Sequence, residues 1–129
     1  MHESYVSLEI AKLLKKLGFK WGCRAAWDLT FPNEPYLNHV AVYPTYFNND
    51  VDDILYAPTL AVAQRWLREV KRCIVEVNYD DCQKHYWVEL FINEDDGGGI
   101  PFYGNVFAMF EEAQEAGIKK CLTLLLKEE

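Results

Sequence analysis

Two stretches in the second half of the chain alternate strictly enough to constrain everything around them. In residues 73–79, Val75, Val77 and Tyr79 alternate with Glu76 and Asn78. In residues 85–93, Tyr86, Val88, Leu90 and Ile92 share one face, while the other mixes Glu89 and Asn93 with Trp87 and Phe91. Strand side chains point alternately to opposite faces, so period two describes a sheet covered fully on one side and partly on the other. Only a short polar link, residues 80–84, separates the two stretches, which predicts an antiparallel hairpin.

The cover for that sheet is written as helices. In the first, Ser7 is placed as N-cap and Ile10, Leu13, Leu14 and Leu17 recur at helical spacing. Lys15 and Lys16 complement the dipole of its last turn, Gly18 supplies a left-handed stop, and Phe19 is placed to fold back on Leu14. A second helix is expected from Pro58 to about Arg72, with Leu60, Ala63, Trp66, Leu67 and Val70 on its apolar face. A third is expected from Asn105 to about Lys127. Val106, Phe110, Ala113, Gly117, Cys121 and Leu124 form its buried stripe, which puts Gly117 where another element approaches closely.

Residues 20–57 are less regular. Strand-forming residues occupy 23–30 and 39–46, and Pro32 and Pro35 between them impose a turn, so a hairpin with a long loop is expected. A polar loop (residues 48–53) and an acidic loop around Gly97, Gly98 and Gly99 complete the chain. The fold class that follows is α+β: one domain over residues 1–129, an antiparallel sheet with helices packed on one face.

Charge narrows the function classes. Thirteen Lys and Arg against twenty Asp and Glu leave a net charge of −7 on 129 residues. Residues 73–104 carry one Lys against seven acids. A helix, strand, strand, helix order also occurs in double-stranded-RNA-binding domains, but those need a basic contact surface, so no nucleic-acid partner is expected. No apolar run reaches the length of a membrane span, and the N-terminus lacks the basic and apolar regions of a signal peptide. Cys23, Cys73, Cys82 and Cys121 are far apart in sequence and read as reduced thiols of a cytoplasmic protein.

Few residues suggest chemistry. Asp50, Asp52 and Asp53 lack the ligand spacing and glycine of a calcium loop. Cys82 and His85 have metal-ligand spacing, with Asp80 and Asp81 adjacent, but no second pair completes a site. No nucleophile elbow, phosphate-binding loop or dinucleotide fingerprint occurs, so neither cofactor nor metal is expected. Arg65, Arg68 and Arg72 form the one concentrated positive stripe and are the candidate anion or partner contact. Trp21, Trp27, Tyr43, Tyr46 and Phe47 crowd the irregular segment, where exposed aromatics suit an interface. Ile118, Leu122, Leu125 and Leu126 widen the apolar surface of the last helix beyond one stripe. Twofold pairing into a homodimer is therefore expected there.

One resemblance accompanies these readings. It rests on Tyr5-Val6-Ser7, Ala11 to Lys15 and Gly18-Phe19, on Ala57-Pro58-Thr59-Leu60 leading to Trp66-Leu67-Arg68-Glu69, and on Phe110 to Ala113 before Cys121-Leu122. This succession resembles a set of small proteins, without assigned activity, of Bacteroidales-type gut bacteria and their prophages. The resemblance implies an accessory protein of a mobile element and carries over no catalytic residue. The reading that results is a non-enzymatic interaction protein with an unknown protein partner. Its alternative is a small hydrolase or metal-dependent enzyme built on the turn containing Asp80 and His85.

Overall fold

The computed structural model describes residues 4–21, 23, 25–31, 33–39, 54–92, 100–101 and 106–127. The chain divides into two compact units, Met1–Thr59 and Leu60–Glu129. The α+β class expected from the sequence is present, with one difference: the strands form two antiparallel sheets, one in each unit.

In the first unit, α1 (Leu8–Lys16) is set by its ends. The Ser7 Oγ accepts from the Ile10 N–H at 3.2 Å, satisfying one of the donors a helix start leaves unpaired. At the other end Gly18 adopts φ +90°, the Phe19 N–H donates to the Leu14 carbonyl at 3.0 Å and the Gly18 N–H to Lys15 at 3.1 Å. That is the paired closure of a Schellman motif, and Phe19 and Leu14 are both buried, as its hydrophobic contact requires.

Strands β1 (Ala25–Asp28), β2 (Tyr36–His39) and β3 (Ile54–Tyr56) form the sheet of this unit, with β1 in the centre. The hairpin predicted around the two prolines is there, with Asp28 opposite Tyr36 and Ala25 opposite His39. Its second strand is Tyr36–His39; of the expected 39–46 stretch only His39 is among the described residues. In the turn before it the Glu34 N–H donates to the Phe31 carbonyl at 2.9 Å. Asp28 ties the corner together. It accepts from the Thr30 hydroxyl at 2.6 Å, the Thr30 N–H at 2.9 Å and the Tyr36 hydroxyl at 2.9 Å. The Thr30 contacts hold the Asp28 carboxyl below its ordinary range, and the same carboxylate pushes the Tyr36 phenol up.

Pro58 does not lie in the first turn of the second helix, where the sequence pattern puts it. Its carbonyl accepts from the Val6 N–H at 2.9 Å and Thr59 bridges Tyr5, so α2 (Leu60–Val70) starts two residues later. The helix ends before Arg72, which stands at φ +56° and turns the chain into β4 (Cys73–Asp80). β4 pairs along its whole length with β5 (His85–Ile92), Val75 opposite Leu90 and Tyr79 opposite Tyr86, as the alternation predicts. A short β6 (Ile100–Pro101), which the sequence pattern does not announce, pairs with the other edge of β5.

The last helix, α3 (Phe110–Lys127), begins five residues after the expected Asn105. The cause is non-local: Tyr86 and Phe107 exchange backbone hydrogen bonds of 2.8 and 2.9 Å, so Phe107 is extended chain against β5 and no helix can include it. Gly117 lies in the buried face, as predicted, and an added Cβ would stand 2.7 Å from Val75 and 2.8 Å from Val88. α3 also packs on α2. There Gln114, buried, donates to the Gln64 Oε1 at 2.9 Å, and the Gln64 amide donates in turn to the Val75 carbonyl on the edge strand β4. Gln64 on one edge and β6 and Phe107 on the other satisfy backbone groups of this sheet from within its own unit.

Two substitutions test these constraints by urea denaturation. Gly117→Leu forces side-chain atoms into the space occupied by Val75 and Val88 and is expected to cost about 1–3 kcal/mol. Gly18→Ala meets no neighbour within 4 Å. It keeps a left-handed conformation that a Cβ disfavours, and is expected to cost about 1–2 kcal/mol.

Candidate functional site

The sequence-predicted positions separate once they are placed. Arg65, Arg68 and Arg72 are exposed, but they do not form one stripe, because the helix has ended before Arg72. The Arg65 Nε also pairs with Glu69 at 3.2 Å, one turn along the same helix. Arg68 lies on the helix and Arg72 beyond its end, both exposed.

The turn between β4 and β5 is organised by its own backbone. Asp80 Oδ1 accepts from the N–H groups of Cys82 and Gln83 at 3.0 and 3.2 Å, Lys84 stands at φ +58°, and its N–H donates to the Asp80 carbonyl at 2.8 Å. The His85 Nε2 is 3.9 Å from Asp80 Oδ2, too long for a hydrogen bond. Asp80 therefore shapes a loop. Among the described residues no three His, Cys, Asp or Glu side chains gather as a metal site would need, and no helix is long and apolar enough to cross a membrane.

Of the residues expected to pair two copies through the last helix, Ile118 and Leu122 are fully buried within the chain, and Leu125 and Leu126 are half-buried. The buried face of α3 comprises Ala113, Gln114, Gly117, Ile118, Cys121 and Leu122. Compared with the expected stripe it extends to Gln114, Ile118 and Leu122, and Gln114 bonds Gln64 of α2. Of the aromatics assigned to an interface, Trp21 is half-buried and the Trp27 indole donates to the Val6 carbonyl at 3.0 Å. Tyr43, Tyr46 and Phe47 lie outside the described residues.

In that irregular segment Phe31 and Tyr36 are exposed, and a second exposed aromatic surface lies in the second unit. The sheet face that α3 covers runs from Cys73 and Ile92 through Val75 and Leu90, then Val77 and Val88, to Tyr79 and Tyr86. Because α3 starts at Phe110, that last rung is left at the edge of its cover. The Tyr79 and Tyr86 rings meet at a tilt of 53° with centroids 4.8 Å apart, and the Phe110 ring stands edge-on to Tyr86 at 6.0 Å. Tyr79 is 48% exposed, Phe110 41%, Met109 55% and Val106 58%. Glu111 and Glu112, directly after Phe110, and Asp81, two residues after Tyr79, are exposed carboxylates. An apolar, aromatic centre with an acidic rim is an arrangement suited to docking. The sequence contained Tyr79 and Tyr86 on the correct face. Their exposure depends on the true start of α3, which no local signal marks.

The four cysteines divide by environment. Cys73 and Cys121 are buried; a hydrogen bond with Cys73, and then burial, push the Cys121 thiol up, and the Cys73 thiol donates to the Lys71 carbonyl at 3.2 Å. Burial pushes Cys23 up to about 12. Cys82 alone is exposed. No family model matches the chain, and neither a curated protein nor a solved structure matches it.

Thiolates, not thiols, react with disulfide reagents. A chromogenic disulfide titration of the native protein should therefore show one fast thiol, lost in Cys82→Ser. Cys23 should follow slowly, and Cys73 and Cys121 only after denaturation.

Proposed function

We propose that this is a non-enzymatic interaction protein, and that its aromatic surface of Tyr79, Tyr86, Met109 and Phe110 docks a basic, partly apolar segment of a protein partner. One observation carries the reading: the last rung of the sheet's core face extends to where α3 begins, with Tyr79 and Phe110 exposed on either side of a half-buried Tyr86. Aromatic rings of this kind supply large contact area at small entropic cost, and they are over-represented among residues that dominate binding energy. The rim sets the partner's charge. Glu111, Glu112 and Asp81 favour Lys and Arg on the incoming segment, and the ring faces attract the same cations. These carboxylates repel phosphate backbones, which favours a protein partner over nucleic acid. The resemblance of three sequence blocks to small prophage-associated proteins supports an accessory role in a phage or mobile element, and a cytoplasmic setting belongs to the same proposal.

Selection from a random peptide display library against the whole protein tests the docking surface. The expected winners carry an aromatic or aliphatic residue flanked by Lys or Arg. Tyr79→Ser and Phe110→Ser should each weaken their binding roughly tenfold, the loss of one interface anchor, while circular dichroism stays unchanged. Failure to enrich any sequence, enrichment of acidic sequences, or binding indifferent to both substitutions contradicts the proposal.

A further inference from the structure

Beyond Gln64, the edge of β4 that faces away from β5 is open. Two hydrogen-bond patterns fix which groups lie on it. The Val75 carbonyl accepts from Gln64, so it points away from β5; Tyr86 exchanges both its backbone bonds with Phe107, so its groups point away from β4. Residues of an antiparallel ladder turn their N–H and C=O alternately to either side. With Val75 opposite Leu90 and Tyr79 opposite Tyr86, the two patterns agree, and Val77 and Tyr79 also present both groups to the outer edge. Among the described residues β5 is the one strand paired with β4, and nothing bonds these outward groups of Val77 and Tyr79. We propose that this edge receives the partner segment as an added antiparallel β-strand, with a basic side chain set beside Glu76. The proposal rests on the docking reading above and specifies the conformation in which the segment is held.

Length and charge choose this occupant. β4 runs for eight residues and contains neither proline nor lysine, the residues that ordinarily blunt an exposed edge. Glu76 is exposed and stands directly opposite Glu89 of β5, on the sheet face away from α3. Like charges in that position are unfavourable, and neither carboxylate has an ion-pair partner among the described residues. A cation on the incoming strand relieves the repulsion. A second copy of β4 would instead bring Glu76 and Asp80 near their own counterparts, so the edge suits a different, basic chain.

Alternation then fixes the pattern of the segment. Its residues opposite Val77 and Tyr79 exchange backbone bonds with them and point to the α3 side, where the exposed Tyr79 ring meets them. The residues between point to the side of Glu76. Aromatic or aliphatic residues alternating with Lys or Arg therefore match both faces. In such strand addition the main-chain bonds supply affinity and the alternate side chains supply selectivity.

The probe is a capped synthetic peptide in which lysine alternates with valine and tyrosine, added to the full chain. At about ten times its dissociation constant it should slow hydrogen exchange of the Val77 and Tyr79 amides roughly tenfold. Methylating the backbone nitrogens of its valines and tyrosines, which face β4, should weaken binding roughly tenfold or more, whereas methylating those of its lysines should leave binding intact. Glu76→Lys should weaken binding by a similar factor without loss of stability, because it sets opposite charges across the rung with Glu89. Unchanged exchange at Val77 and Tyr79, equal loss from both methylation patterns, or indifference to Glu76→Lys overturns strand addition. So does a dimer in sedimentation whose Val77 and Tyr79 amides are already protected. If display-selected peptides still bind and lose affinity in Tyr79→Ser, the docking surface stands without strand addition; if neither kind of peptide binds, both readings fail.

Discussion

The second unit is organised around a missing side chain. Because Gly117 has no Cβ, the α3 backbone lies against Val75 and Val88 at a distance that any other residue would have to force apart. Close packing follows from that approach. Interiors are as dense as organic crystals, so one contact of this kind fixes where the neighbouring side chains go. Ile118 and Leu122 fill the space beside the glycine, and Gln114 comes within reach of Gln64. A polar pair is tolerable there because each member is satisfied: Gln114 donates to Gln64, and Gln64 donates to the Val75 carbonyl. The two glutamines thus join α3, α2 and the edge strand β4 with directional bonds that leucines would not supply.

The same placement generates the exposed surface. With Gly117 pinned over Val75 and Val88 and Phe107 paired with Tyr86, α3 has a fixed point to start from, and the rung of Tyr79 and Tyr86 sits at its margin.

How much of this was legible depended on whether the signal was local. Ser7, Gly18 and Phe19 act within one turn of α1, so both helix ends could be read from the residues themselves. The alternation of Val75, Val77, Val88 and Leu90 is equally local, and the β4–β5 hairpin follows from it. Gly117 was readable because a glycine in the middle of an apolar stripe marks the point where a neighbouring element comes closest. By contrast, the start of α3 is decided by a backbone pair between Tyr86 and Phe107, twenty-one positions apart in the chain. Strand β3 is three residues long, too short for a period to appear. Gln64 and Gln114 are inside only because they have each other, fifty positions apart. The docking surface inherits this non-locality: its residues were visible, but their exposure was not. Ile118 and Leu122 are buried within the chain for the same reason, which the periodicity of α3 alone does not reveal.

The central claim is that α3 and the β4–β5 hairpin form one cooperative body held at Gly117. Native-state hydrogen exchange measured across a urea series tests it directly, because regions that open together share one opening free energy and one denaturant slope. The amides of Gly117 and Ile118 in α3 are then expected to exchange with the same free energy as those of Val75 and Val88, and this value should equal the global unfolding free energy. Amides of α3 that exchange through a smaller, urea-independent opening while the hairpin stays protected would contradict it.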